Sequence, residues 1–150
     1  MVLMYGPSIS ADGRYVAYSS YATNLVEGFI ENVNIIGYVN IYVHDLVTGE
    51  TTLESVSSNG TQGNNSSFFL TFSADGRYVR FSSEATNLVE GVTQGGIFVH
   101  DRVTGETMLE AFHDGTRGQI YYEIPAISAD GRCEAFVSGD IFVRDLGTSK

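Results

Sequence analysis

Ser10-Ala11-Asp12-Gly13-Arg14-Tyr15-Val16 is written three times in this chain. It returns as Ser73-Ala74-Asp75-Gly76-Arg77-Tyr78-Val79 and again as Ser128-Ala129-Asp130-Gly131-Arg132-Cys133-Glu134. The first two copies run on through Ala22-Thr23-Asn24-Leu25-Val26-Glu27-Gly28 and Ala85-Thr86-Asn87-Leu88-Val89-Glu90-Gly91. A second phrase is also triplicated: Ile41-Tyr42-Val43-His44-Asp45, Ile97-Phe98-Val99-His100-Asp101 and Ile141-Phe142-Val143-Arg144-Asp145. Phrases recurring in fixed order, the first of them at a period of 55 to 63 residues, are the signature of a repeat architecture.

Each unit spells four short strands. In the first, Pro7–Ser10 is strand A, and Asp12-Gly13 is a hairpin turn, because Gly accepts positive φ and Asp bonds to nearby amides. Tyr15–Ser20 alternates across the pleat as strand B, Asn40–His44 is strand C and Thr51–Ser57 is strand D. The second unit predicts strands over Phe68–Ser73, Arg77–Ser82, Gly96–His100 and Thr107–Phe112. Glu106–His113 also fits two helical turns, but its repeat partner Thr51–Ser57 is β-branched and alternates, so a strand is expected. The third unit predicts Ile124–Ser128, Cys133–Val137 and Asp140–Arg144, and Lys150 stands where Glu50 precedes the fourth strand.

Four antiparallel strands per unit, joined by short turns, describe a β-propeller blade. These residues resemble the bacterial PD40 repeats, the WD40-like repeats of TolB-type propellers, over nearly the whole chain. The resemblance implies a propeller in which six blades are common, an extracytoplasmic (periplasmic or secreted) location and mostly non-catalytic binding roles. Family members often follow Asn-Leu-Val with an acidic loop; here Phe29 and Val92 take the acidic place, so no calcium site is carried over.

The expected architecture is therefore all-β: one domain over residues 1–150, with blades at about 1–57, 66–113 and 120–150 and the last lacking its fourth strand. Three blades make half of a six-bladed ring. An open stack leaves two apolar flanks wet, at a cost on the order of ten kcal/mol for several hundred Å². A second copy head to tail, giving a homodimer or a larger ring, is the expected remedy. Met1–Tyr5 is apolar and could supply the missing strand, although only Gly6 and Pro7 would then cross the blade.

Composition narrows the partners. Seventeen glycines against two prolines suit strands and tight turns, and 18 acidic residues against eight basic ones give a net charge of −10. Such a surface lacks the clustered cations that nucleic acid or anionic membranes require. A single cysteine, Cys133, excludes an internal disulfide. Met1–Ser10 lacks the basic segment and apolar run of a secretory signal, and no stretch approaches the ~20 apolar residues of a membrane span.

Alternating strand direction puts the A–B and C–D turns at one end and the unequal B–C and D–A links at the other. Arg14, Arg77 and Arg132 open strand B beside Asp45, Asp101 and Asp145, so each blade predicts its own Arg–Asp pair as a structural feature. Asp12, Asp75 and Asp130 read as turn residues. No metal or cofactor is expected, because His44 and His100 share a repeat position on blades that splay apart. No catalytic residue is expected either, since no serine lies in Gly-x-Ser-x-Gly.

A candidate ligand surface remains at the variable end: Phe29, Asn32, Asn34 and Tyr38 in the long first loop, Asn64 and Asn65 in the first D–A link, and Gln119, Tyr121, Tyr122 and Glu123 in the second. Aromatic rings among amides suit sugars or polypeptide. The function expected is a non-catalytic, self-associating scaffold that presents these loops to a protein or glycan partner. Alternatives are a carbohydrate-binding lectin, a purely structural assembly unit, and an accessory propeller of a hydrolase whose catalytic part lies outside this sequence.

Overall fold

The computed structural model describes residues 6–27, 37–112, 126–127, 133–138 and 140–145. Every regular element among them is a strand. The first sheet holds β1 (Ser8–Ile9), β2 (Tyr15–Ser20), β3 (Asn40–Asp45) and β4 (Thr51–Leu53), each antiparallel to the next in sequence. The second repeats it with β5 (Ser67–Phe72), β6 (Tyr78–Ser83), β7 (Gly96–Asp101) and β8 (Thr107–Phe112). The third contains β9 (Ala126–Ile127), β10 (Cys133–Ser138) and β11 (Asp140–Asp145), three strands among the described residues. These are blades of a β-propeller in meander order, and Thr107–Phe112 is a strand, as its repeat partner requires.

The registers are copied with the phrases. Tyr15 faces Asp45, Tyr78 faces Asp101 and Cys133 faces Asp145; Ala17 faces Val43, and Ala135 faces Val143. Directly opposed residues share a face of the pleat. One face of the first sheet therefore carries Tyr15, Ala17, Ile41, Val43 and Thr52. It packs on Phe72, Val79, Phe81 and Phe98 of the second sheet, with Leu88 and Ala85 closing one end of the cluster. Ile41, Val43, Val79, Phe81 and Phe98 have no exposed surface there.

The recurring phrase folds the same way twice. Ser10 Oγ donates to Asp12 Oδ1 (2.6 Å) and accepts from the Tyr15 amide (2.9 Å), while the Arg14 amide donates to Asp12 Oδ1 (2.9 Å). Ser73, Asp75, Tyr78 and Arg77 reproduce these bonds, in the same order, at 2.6, 2.9 and 3.0 Å. Gly13 and Gly76 close the turns at φ 72° and 73°. Ser, Asp and Gly recur because each supplies a donor, an acceptor or a left-handed backbone that the turn needs.

Most boundaries fall within one residue of expectation, and two strands of the first blade are clearly shorter. The fourth strand of the first blade ends at Leu53 and not at Ser57. Beyond it the chain serves the next blade: Thr107 Oγ1 donates to the Val56 carbonyl (2.6 Å), and the Thr107 amide donates to Ser58 Oγ (2.9 Å). Val56 itself makes an isolated bridge with Gln62. The first strand of that blade shrinks to Ser8–Ile9.

A Cβ on Gly76 would stand 2.5 Å from Cδ2 of Tyr15, whereas at Gly13 it would meet nothing within 4 Å. Both positions carry the cost of positive φ, and only Gly76 adds a clash with the neighbouring blade. Gly13→Ala is expected to lower unfolding free energy by about 1 kcal/mol and Gly76→Ala by roughly 2–4 kcal/mol in urea titrations. Equal losses would show that Tyr15 does not fill that space.

Candidate functional site

The two ends of the blades do different work. At the copied end, Arg14 clasps Asp45 with Nε to Oδ1 at 3.1 Å and Nη2 to Oδ2 at 2.7 Å. Arg77 holds Asp101 at 3.0 and 2.7 Å. Each aspartate also accepts amide bonds from the C–D turn, from Val47 and Thr48 in one blade and from Val103 and Thr104 in the other. Asp45 and Asp101 are thus committed to joining strand B to the C–D turn, and the Leu46 and Arg102 amides bond back to the Arg14 and Arg77 carbonyls. Asp12 and Asp75 are turn acceptors. Asp145 ends β11 and is exposed; Asp130 and Arg132 lie outside the described residues.

The guanidinium bonds, assisted by the turn amides, hold both Asp45 and Asp101 well below the usual carboxylate range. A carboxylate with a depressed folded-state pKa stabilises the fold above its unfolded value, about 3.9, and loses that contribution as pH falls through the folded one. The contribution of these two aspartates to the urea midpoint should therefore hold from neutrality to about pH 5 and be lost below about pH 4. In an Asp45→Asn, Asp101→Asn variant the neutral midpoint should be lower and the acid slope shallower; an unchanged slope would count against these pairs.

Between the first two blades lies a charged cluster that repeat patterns alone did not single out. Glu54, 2 % exposed, meets Arg102 Nε at 3.2 Å and His100 Nε2 at 3.5 Å, and it accepts a short bond from the Thr52 hydroxyl. Thr107 Oγ1 gives its proton to the Val56 carbonyl, so it accepts Nδ1–H from His100 at 2.8 Å. Burial pushes the His100 imidazole below its ordinary pKa, against the pull of Glu54. Arg102 also covers the Tyr15 ring, 4.5 Å from its centroid, and donates to the Gly76 carbonyl at 2.8 Å. The legible signal was one departure within the repeat: Arg102 stands where the first blade has Leu46.

Breaking a buried ion pair from one side leaves an uncompensated charge. Glu54→Leu is expected to cost about 3 kcal/mol of unfolding free energy. Adding Arg102→Leu should restore part of it, because the pair is then removed whole. Strict additivity of the two losses in a double-mutant cycle would show that they do not interact.

At the variable end, the link between the first two blades is clamped to the second blade. Asn64 donates Nδ2–H to Thr86 Oγ1 (3.0 Å), accepts from the Thr86 amide at Oδ1 (2.9 Å), and its own amide donates to Asn87 Oδ1 (2.9 Å). Asn87 Nδ2 returns to the Gln62 carbonyl at 2.8 Å. The exposed Asn64 side chain is therefore bonded to its own chain, and Asn65 Oδ1 accepts from the Ser66 amide at 2.8 Å. Tyr38 is half-buried, and its carbonyl accepts from Asn40 at 3.3 Å. Phe29, Asn32, Asn34, Gln119, Tyr121, Tyr122 and Glu123 lie outside the described residues, as do Met1–Tyr5.

His44 bonds Thr51 Oγ1 at 2.8 Å, as His100 bonds Thr107. Among the described residues no three His, Cys, Asp or Glu side chains gather as metal ligands would. No helix among them is long and apolar enough to cross a membrane.

No family model and no curated protein matches the sequence. Solved structures do. The chain superposes on TolB from Acinetobacter baumannii with a TM-score of 0.58 and 20% identity, covering 97% of this chain and 31% of that one. It superposes on hydrazine synthase of Kuenenia stuttgartiensis with a TM-score of 0.50 and 16% identity, covering 97% of this chain and 41% of that one. The chain thus spans less than half the length of either. Likeness at such identities speaks to fold alone, and the fold is a partial, TolB-like β-propeller.

Proposed function

We propose that the chain is a non-catalytic propeller module of PD40 type that works by association with further blades, outside the cytoplasm, and offers its unequal loops to a protein or glycan partner. One comparison carries this reading. Val43 and Val143 occupy the same repeat position and the same register; Val43 is fully buried beneath the second blade, and Val143 is 71% exposed. On the opposite flank of the stack, Ile9 and Leu46 are 60% and 57% exposed. Val143 at one end of the stack and Ile9 and Leu46 at the other are thus left in water, while Tyr42, the counterpart of Phe98, is already fully buried on the first blade. The exposed apolar groups favour a further blade at each end.

The non-catalytic part of the reading is supported by how the repeated carboxylates are spent. Asp12, Asp45, Asp75 and Asp101 are each bonded within their own blade, and Glu54 is bonded between blades. The ligand surface then falls to the longer loops at the far end, where Tyr38 and Asn65 sit beside the clamp formed by Asn64.

Sedimentation velocity over a concentration series is the test. A folded species of twice the chain mass, the homodimer that brings six blades together, is the expected result. A stable, folded monomer at micromolar concentration would overturn the reading.

A further inference from the structure

His100 and Glu54, both buried, face each other across the junction of the first and second blades. The bonds on the far side of the ring fix its tautomer. The Thr107 hydroxyl gives its proton to the Val56 carbonyl, so Nδ1 carries the hydrogen of the neutral imidazole and Nε2 keeps a lone pair. Nε2 stands 3.5 Å from Glu54 Oε2. Two acceptors therefore meet in a buried place, and a single added proton would bond them.

The charge balance around the ring opposes that proton. Glu54 is already paired with Arg102, and Asp101 with Arg77. Of the strands beside β7, β6 sets Val79 opposite the ring and β8 brings the Thr107 hydroxyl, and neither adds a charge. A proton at Nε2 would leave two cations sharing the one carboxylate of Glu54, and a surplus charge is costly to bury. Burial is the largest influence on His100, and with the Arg102 charge it outweighs the attraction of Glu54 and Asp101.

The arrangement belongs to this junction and not to the repeat. His44 makes the same threonine bond on the first blade, but among the described residues no glutamate from another blade reaches its ring. The third unit has Arg144 at that position.

We propose that the contact between the first two blades is a proton-operated latch. It is closed while His100 Nε2 is bare, and it loosens in mild acid, when a proton enters between Nε2 and Glu54 Oε2 and sets the imidazolium against Arg102 for the same carboxylate. The folded chain binds this proton less readily than the unfolded one. The junction therefore has its full strength above about pH 6.5 and loses it as pH falls through the lower folded value. The Arg14–Asp45 and Arg77–Asp101 pairs keep their contribution down to about pH 5, so their acid loss falls in a separate range.

The test follows the unaltered chain from about pH 7.5 to about pH 5 by NMR of the histidine rings and by amide hydrogen exchange corrected for its intrinsic pH dependence. His100, assigned by the signal missing in His100→Gln, should be the Nδ1–H tautomer at neutral pH and gain its second proton only below about pH 6.5. Protonation at or above that value would overturn the proposal. Protection should fall first across the junction: at Ala11, whose amide donates to the Ala74 carbonyl (3.0 Å), and at Thr107, whose amide donates to Ser58. The Asp45 amide, bonded to the Glu50 carbonyl within the first blade, should hold. Equal loss at all three would mean that the whole fold yields, and no loss at any would mean that nothing does; either result sinks the latch.

Two variants locate the proton. His100→Gln cannot take it up, so acid should no longer loosen Ala11 and Thr107 ahead of Asp45; loosening that persists would belong to another group and reject His100. Glu54→Gln removes the attracting charge and offers a carboxamide hydrogen to Nε2, so the His100 titration should move to still lower pH. An unmoved titration would show that Glu54 is not its partner.

Discussion

A sheet with apolar side chains on both faces is stable only between two neighbours. That requirement shapes everything described here. The blades of this chain are such sheets: Ala17 and Val43 look one way, and Tyr18 and Tyr42, stacked with ring centroids 6.0 Å apart, look the other. Where a second blade lies against the first, side chains disappear from water entirely and even a carboxylate is accommodated, because Arg102 comes with it. Blade-to-blade packing, more than any feature of one blade, is what the residues of this protein are arranged to achieve.

Each of the first two blades is itself held by polar fastenings placed at its ends. Arg14–Asp45 and Arg77–Asp101 tie the start of the second strand to the turn after the third, so two turns become one rigid corner. The link between blades is fastened at the other end by the reciprocal amide bonds of Asn64 with Thr86 and Asn87. Fastenings at both ends leave the middle of the faces shared by the first two sheets mainly apolar. Tyr42 shows the exception that fits the rule: its ring is buried, its hydroxyl reaches the Ala22 carbonyl at 2.8 Å, and burial pushes its pKa up to about 12.

Much of this was legible in the residues themselves. The triplicated phrases set the number of blades, and the Ser-x-Asp-Gly-Arg-Tyr order set the turn, because each residue type has one geometric task there. The Arg–Asp pairs followed from strand pairing alone. What could not be read was whatever depends on the neighbouring blade. Thr51–Ser57 alternates like a strand along its whole length, yet the ladder ends at Leu53: the Glu54 amide still bonds the Ile41 carbonyl, and Val56 and Ser58 bond Thr107 of the second sheet. Asn64 is exposed, and its bonds to Thr86 and Asn87, residues more than twenty positions away, are likewise beyond what periodicity reports. Periodicity reports which face is apolar; it does not report what that face will meet.

The Leu46 and Arg102 difference also bears on how a nearly repetitive chain avoids folding out of step. Two units that share almost every turn and strand could exchange places, so that the tail of one unit slides onto the wrong receiver. Glu54 makes that slip expensive, since only the second unit brings a guanidinium to meet it. A single side chain thus indexes the sheets, and the order of assembly is kept by electrostatic mismatch where shape could not tell the copies apart.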